Sequence, residues 1–173
     1  MEVIHYRMAT EADAPALAAM FAQSFTETFG HLYRPEDLAA FLSQLDEKGF
    51  DEELADPGLT FRVAEAGGQL VGFAKVGTIT LPIEPAAPAT ELRQLYILRP
   101  WQGRGIAAEL MEWALAEARA QGARLVYLTV YVDNHRARRL YEPYGFTFVG
   151  PCKFQVGSHC DEDHIMCLDL GEQ

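Results

Sequence analysis

The chain has 173 residues, a length that fits one domain and suffices to bury a hydrophobic core. Hydrophobic residues make up 49% of it, which excludes an intrinsically disordered chain, and the net charge of −11 argues against nucleic acid as a partner because phosphates would be repelled. The longest apolar runs, such as 125–132, fall far short of the roughly 20 residues that a membrane-spanning helix needs, so no membrane partner is expected.

The N-terminal sequence, Met1 to His5, lacks the basic region and long apolar run of a secretory signal. The cysteine count is odd, which predicts reduced thiols and a cytoplasmic protein. No Cys-x-x-Cys pair is present, so the nearby His159, Cys160, Asp161 and His164 do not predict a metal site, and we expect no metal. The acidic charge could attract a cationic substrate, or it could serve only to keep the protein in solution.

The first half of the chain is predicted to contain three strands and two helices. Thr10 suits the N-cap of the first helix, and Pro35 suits the first turn of the second. The glycine pair at 67 and 68 predicts a hairpin, and a later run with three prolines predicts a loop. The predicted ranges are strands Val3–Met8, Thr60–Ala64 and Gln69–Ile79, helices that begin near Thr10 and Pro35, and a loop over Leu81–Pro88.

The second half is predicted to alternate strands and helices. Its first helix has one apolar face, and the strand after it is almost entirely apolar, as expected for a strand covered on both faces. The predicted strands are Glu91–Leu98, Leu125–Val132, Thr147–Pro151 and His164–Leu170, and the predicted helices are Gly103–Gln121 and Asn134–Glu142. This order indicates an α/β domain with a partly parallel sheet, extending over residues 1–173.

A glycine-rich segment, Gln102 to Ala107, follows a predicted strand and opens a helix. The free N–H groups and partial positive charge of a helix N-terminus can bind phosphate, and glycines let phosphate approach the backbone. The alternative is a helix start that binds nothing. The dinucleotide pattern Gly-x-Gly-x-x-Gly is absent because Ala108 stands at its third glycine, and the Gly-x-x-x-x-Gly-Lys pattern is absent too.

Two segments together carry a resemblance to a known family. Leu95 to Ala107 resembles the acetyl-CoA signature of the GNAT N-acetyltransferase superfamily, whose core is Arg/Gln-x-x-Gly-x-Gly/Ala. Asn134 to Phe146 is similar to the family's second signature, Asn-x-x-Ala-x-x-x-Tyr followed by Gly-Phe. The resemblance implies the GNAT fold, an α/β (α+β) domain with a mixed central sheet of about six to seven strands flanked by about four helices. It also implies acetyl-CoA as cosubstrate.

Shorter pieces resemble a bacterial branch associated with spermidine/spermine acetylation. The resemblance implies transfer to the primary amine of a small cationic acceptor, with a polyamine as one candidate. Two alternatives remain open: acetylation of a protein N-terminus or lysine, and an acyl-CoA-binding GNAT module without turnover. The oligomeric state, with a homodimer as one candidate, is also open. The pieces are 25–29, 91–97, 148–150 and 163–166.

The resemblance also implies roles for individual residues toward the cofactor. A strand backbone would pair with the pantetheine arm, the glycine-rich segment would hold the pyrophosphate, and an asparagine would contact the cofactor near its amide end. In that order, these residues are Leu95, Tyr96 and Ile97; Gln102, Gly103, Arg104, Gly105, Ile106, Ala107 and Ala108; and Asn134.

The resemblance makes Tyr141 the general acid that protonates the departing thiolate. Tyr141 lies seven residues after Asn134, so both share one helix face. The alternative is that Tyr141 only packs beside Leu140 and Phe146. Pro143 departs from the usual pattern and is predicted to end this helix.

In the histone-type branch a glutamate at the spacing of Glu91 is the base. Strand alternation predicts that Glu91 faces the same side as Ile97 unless a bulge intervenes, and a surface carboxylate is the alternative. Other members place a glutamate where this chain has Thr129, which cannot act as a base. Phe25, Phe29 and Tyr33 are candidates for the acceptor pocket, or else they belong to the core.

Overall fold

The computed structural model describes residues 2–171. Its strands form one mixed sheet, which confirms the predicted α/β class, and the strand order is β1-β2-β3-β4-β5-β7-β6. Neighbouring strands are antiparallel except for β4 and β5, which run parallel. Within residues 2–171 the strands are β1 Ile4–Met8, β2 Leu59–Ala66, β3 Gln69–Gly77, β4 Ala89–Ile97, β5 Leu125–Tyr131, β6 Thr147–Val156 and β7 His159–Asp169.

Both faces of the sheet are covered by helices. One hydrophobic core contains the buried face of α4 together with Tyr141 of α5, and a second contains side chains of α1 and α3. The apolar face that helical spacing predicts for α4 is buried, and its members are Ile106, Leu110, Met111, Ala114, Leu115 and Ala118. In the described part of the chain the α-helices are α1 Ala14–Phe29, α2 Pro35–Leu42, α3 Glu47–Ala55, α4 Ile106–Ala120 and α5 His135–Tyr141.

Four helices overlap the predicted ones, and α3 is an addition. Thr10 caps a short 3-10 turn over Glu11–Asp13, so α1 itself begins later than predicted, at Ala14. Its sequence is polar and contains Gly49, so helical periodicity does not stand out, and Phe50 is its single fully buried residue. The side chain of Asp46 caps the helix by accepting a hydrogen bond from the Gly49 amide at 3.0 Å. Phe50 anchors α3 to the second core.

The last hairpin extends beyond the predicted strands. β6 continues to Val156 and β7 begins at His159, so the two strands pair over their full length around Gly157 and Ser158. This extension carries residues 152–163 against α1 and α2. The extended hairpin therefore contributes side chains to the candidate active site.

None of the helices in residues 2–171 has the length and apolar character that crossing a membrane requires. Met1, Glu172 and Gln173, which the prediction of one domain over residues 1–173 includes, lie outside the described residues.

Candidate active site

The parallel strands β4 and β5 stay paired over three residues and then separate. Residues 89–91 lie opposite residues 125–127, and the described residues show no further pairing between the two strands. The gap opens into a cavity of about 540 Å³. Tyr141 belongs to one core and Phe25 to the other, yet both line this cavity. The separation of the strands therefore connects the two faces of the sheet.

Arg93 forms a bulge in β4 just past the point of separation. Two successive β3 residues, 75 and 76, pair with Gln94 and Leu92, which leaves Arg93 without a β3 partner. One extra residue reverses the face to which the preceding side chains point. Glu91 and Ile97 therefore lie on opposite faces, which is the exception that the alternation argument allowed for a bulge.

The Glu91 side chain is buried and already hydrogen-bonded. Its carboxylate accepts from the Thr80 amide at 2.7 Å and from the Thr80 hydroxyl at 2.9 Å. Among the residues described, the cavity lining does not include Glu91. Its assignment as the base stays a prediction, and its position would require a relay to the cavity.

The glycine-rich segment leads into helix α4, which begins at Ile106 instead of the predicted Gly103. Gly103 and Gly105 adopt φ angles of 78° and 84°, which side-chain-bearing residues rarely adopt. The first α4 hydrogen bond runs from the Glu109 amide to the Gly105 carbonyl at 3.1 Å, so the amides before Glu109 have no helical acceptor. Such amides, with the helix dipole, suit a phosphate group.

Side chains of this segment are held in different ways. Gln102 donates to the Ile97 carbonyl at 3.0 Å and so ties the segment to β4. The Arg104 guanidinium lies 4.7 Å from the Trp101 ring centre, a cation–π contact on an exposed surface. Of the residues predicted to hold the cofactor, Arg104 and Ile106 are not part of the described cavity lining, whereas the others are. Those that line it are Leu95, Tyr96, Ile97, Gln102, Gly103, Gly105, Ala107, Ala108 and Asn134.

Tyr141 lies at the cavity wall near the end of α5. Its ring packs edge-on against Phe146, with the ring centres 6.0 Å apart. Burial raises the pKa of Tyr141 to about 12, so the hydroxyl stays protonated at neutral pH. Asn134 caps α5 by accepting from the Ala137 amide at 3.2 Å. Pro143 lies in the short 3-10 turn that follows Tyr141, and α5 ends before it as predicted.

The three predicted acceptor residues lie together on the cavity wall. The rings of Phe25 and Tyr33 are stacked with their centres 6.1 Å apart, and Phe29 meets Tyr131 edge-on at 6.1 Å. Phe154 of β6 adds a further aromatic side chain. Contact of these residues with an acceptor stays a prediction.

Two carboxylates that were not predicted as site residues, Asp161 and Asp163, also line the cavity. Residues 161, 163 and 165 alternate on one face of β7 and are all buried. A signal was present in the sequence: Gly157 and Ser158 are turn residues flanked by alternating runs, which is typical of a hairpin. Placing β7 from His164 onward left both aspartates outside the predicted strand.

The two aspartates differ in their partners. Asp161 accepts a short hydrogen bond from the Tyr33 hydroxyl and pairs with His159 Nε2 at 2.8 Å. Among residues 2–171, no hydrogen bond or ion pair reaches the Asp163 carboxylate, although its residue is only 7% exposed. Burial, and then the charge of Asp161, raise the pKa of Asp163 to about 6. The same part of the chain contains no group of three or more His, Cys, Asp and Glu side chains arranged to hold a metal.

The chain is similar to known acetyltransferases along most of its length. An uncharacterised N-acetyltransferase of Mycobacterium tuberculosis is 35% identical over 159 residues, covering 91% of this chain and 98% of the relative. The N-alpha-acetyltransferase RimI of the same species is 37% identical over 103 residues, 58% of this chain and 60% of that protein. The crystal structure of the PaiA N-acetyltransferase of Thermoplasma acidophilum in complex with coenzyme A superposes with a TM-score of 0.78 at 20% identity, covering 96% of this chain and 99% of that one.

The sequence model of the acetyltransferase (GNAT) family matches residues 17–146, a range that includes the separated strands, the glycine-rich segment and Tyr141. The seven-stranded mixed sheet agrees with the fold of the Thermoplasma protein. The chain therefore belongs to the acetyltransferase (GNAT) family.

Proposed function

We propose that the protein transfers an acetyl group from acetyl-CoA to the primary amine of a small cationic acceptor. One observation carries this proposal: the cavity between β4 and β5 has the Tyr141 ring on one side of the sheet and the Asp163 carboxylate on the other. A proton donor and an anionic group thus face the same cavity, in which a thioester and an amine could meet.

The residues around the cavity fit acetyl-CoA. The backbone of Leu95 to Ile97 lies where β4 has lost its β5 partner, so an extended pantetheine arm could pair with it as an added strand. The positive φ of Gly105 and the free amides at the start of α4 suit a pyrophosphate. Bound there, acetyl-CoA would supply the acetyl group as an activated thioester.

Tyr141 is proposed as the proton donor to the leaving sulfur. Its burial keeps the phenol protonated, and a protonated hydroxyl can stabilise a developing thiolate by hydrogen bonding. The alternative, a purely structural Tyr141, has support in its packing against Phe146. Removal of the hydroxyl alone distinguishes the two.

A proton acceptor is also required. An alkyl ammonium has a pKa of about 10.4, so at pH 7 only about one molecule in a few thousand is neutral and able to attack. Glu91, from the family resemblance, and the aspartates of β7, from the structure, are the available carboxylates. Carboxylates would also favour a cationic acceptor over a neutral one.

A small acceptor is favoured over a protein substrate by the enclosing aromatic walls. Side chains from α1, α2 and β6 surround the carboxylate end of the cavity, among them Phe29, Phe41 and Phe154. A peptide N-terminus is the second candidate, supported by the identity to RimI. A polyamine is the finer candidate within the class of small cations.

The experiment is an amine panel with acetyl-CoA, scored by release of CoA thiol. It should include spermidine, a monoamine such as 2-phenylethylamine, a neutral amino acid and a short peptide with a free N-terminus. Turnover with the small cations supports the proposal. Activity confined to the peptide would favour the second candidate, and binding of acetyl-CoA without turnover of any amine would indicate a non-catalytic module.

A further inference from the structure

Asp163 is a buried carboxylate that faces a cavity and has no bonding partner of its own. The residue is only 7% exposed, what exposure its carboxylate has is toward the cavity, and no described side chain or amide donates to it. Burying an unpaired charge is unfavourable, and native proteins generally avoid it. An unsatisfied acceptor that lines a cavity therefore points to a ligand that donates hydrogen bonds and carries positive charge.

Asp161, two residues earlier on the same face, provides the contrast. Its two carboxylate oxygens are used, one by the Tyr33 hydroxyl and the other by His159 Nε2. Among the described residues, the cavity lining consequently contains two carboxylates, of which one has its acceptor capacity free. The number of free carboxylates matches a ligand with a single positive charge better than one with several.

We propose, resting on the function proposed above, that Asp163 binds the ammonium group of a monocationic primary amine with an apolar body and takes its proton. This assignment replaces two expectations from the sequence: a polyamine as the acceptor, and Glu91 as the immediate proton acceptor.

The neighbours of Asp163 support its acting alone. Across the sheet it lies opposite Tyr131 on β5 and Cys152 on β6. The other ionisable groups near it are Asp161 on β7, Tyr33 after α1, and Tyr96 on β4. Phenol and thiol groups are neutral at pH 7. Two arginines also line the cavity, but Arg93 donates to the Thr78 carbonyl and Arg136 is exposed. Among the described residues neither forms an ion pair with Asp163.

The apolar body follows from the walls beside the carboxylate. Phe29 and Tyr131, in edge-on contact, are only partly buried and line the same cavity. Phe154 pairs with Asp161 across β6 and β7 and adds an aromatic side chain on the hairpin side. Aromatic rings attract an ammonium and favour an apolar chain next to it. A second or third ammonium in this space would lose its water without gaining a free carboxylate.

The proposed proton transfer involves two groups, the ammonium of the acceptor and the Asp163 carboxylate. The ammonium nitrogen gives one proton to an Asp163 oxygen, the carboxylate becomes a neutral carboxyl, and the nitrogen keeps the electron pair with which it can attack. The raised pKa of Asp163 reduces the mismatch with an alkyl ammonium by about two pKa units relative to an ordinary aspartate. The transfer remains uphill, as expected for a short-lived neutral amine.

The test is Asp163→Asn, with Glu162→Gln as the matched control. Glu162 is the adjacent β7 residue, its side chain is 63% exposed, and it carries the same charge. With 2-phenylethylamine and saturating acetyl-CoA, Asp163→Asn should lower kcat/KM by about 10²-fold or more at pH 7. The acidic limb of the pH profile, near pH 6 in the wild-type enzyme, should disappear in this variant, whereas Glu162→Gln should retain both rate and limb.

Three further measurements decide the proposal. Wild-type kcat/KM should be at least about tenfold higher for 2-phenylethylamine than for spermidine, since the cavity offers one free carboxylate. Acetyl-CoA should bind Asp163→Asn as tightly as wild type in calorimetry, which confirms a folded variant. Glu91→Gln should keep the acidic limb. A wild-type pH profile in Asp163→Asn, loss of the limb in Glu91→Gln only, or a preference for spermidine would each overturn the inference. Absence of turnover with every amine would instead refute the proposed function itself.

Discussion

The Tyr33 hydroxyl donates a hydrogen bond to the Asp161 carboxylate, joining the segment after α1 to strand β7 across 128 positions of the chain. The bond satisfies one of the two cavity aspartates and fixes the stacked Phe25–Tyr33 pair beside the hairpin. It also keeps the Tyr33 phenol protonated, since burial and the adjacent carboxylate raise its pKa.

Tyr33→Phe should therefore destabilise the fold. A buried carboxylate would lose one donor, and we expect the free energy of unfolding to fall by about 1–3 kcal/mol in urea titrations. Tyr131→Phe is the control, because within residues 2–171 the hydrogen bond of the Tyr131 hydroxyl goes to the exposed Asp133, at 3.4 Å. Its effect should stay within about 0.5 kcal/mol. Equal losses in both variants would argue that the Tyr33–Asp161 bond contributes nothing specific.

Gly105→Asp should abolish acetyl-CoA binding. The substitution adds a negative charge next to the amides proposed to hold the pyrophosphate and forces a side chain into a φ of 84°. Gly122→Asp makes the same change at a φ of 80° beyond the other end of α4, so it reproduces the backbone strain away from the cavity. Calorimetry should show binding to Gly122→Asp only. Binding to both would place the pyrophosphate elsewhere.

Tyr141→Phe should lower kcat by about 10²-fold, a typical contribution of one general acid, with acetyl-CoA affinity nearly unchanged. Stopped-flow single-turnover measurements would ensure that chemistry limits the rate. Tyr144→Phe removes a phenol three residues away that does not line the described cavity, and it should retain wild-type kcat. If both variants turn over like the wild type, Tyr141 serves only in packing.

Asp163→Asn should make the folded protein more stable and the enzyme less active. The folded state raises the pKa of Asp163 to about 6, so between roughly pH 4 and pH 6 it binds more protons than the unfolded state, and stability is lost as pH rises through that window. Removing the charge should raise the free energy of unfolding by about 2 kcal/mol at pH 7.5. This is less than the whole pKa shift would give, because the carboxylate faces a cavity and is partly screened. Below pH 4 the gain should vanish.

Thermal unfolding from pH 4 to pH 7.5 measures this difference. The melting temperature of Asp163→Asn should separate upward from that of the wild type as pH rises, whereas the exposed Glu162→Gln should follow the wild type throughout. A difference that does not change with pH would mean that ionisation of Asp163 does not destabilise the folded protein.

The sequence by itself determined the elements whose signals are local. The apolar face of α4 repeats with helical spacing, and each of its predicted members is buried. The glycines at 103 and 105 indicated a special backbone before α4, and both have positive φ. The two GNAT signatures indicated the family, and the family match covers both. Such features depend on residues close together in the chain, so one sequence contains them.

Only the tertiary structure decided the carboxylate end of the cavity. The Arg93 bulge reverses one part of β4 relative to the other, and alternation within a single strand cannot reveal a bulge that is defined by pairing with β3. Asp163 is buried because β5 and β6 flank it on either side. It differs from Asp161 because Tyr33, from a distant segment of the chain, donates a hydrogen bond to Asp161. Burial without a partner is a property of the packed surroundings, and no local pattern encodes it.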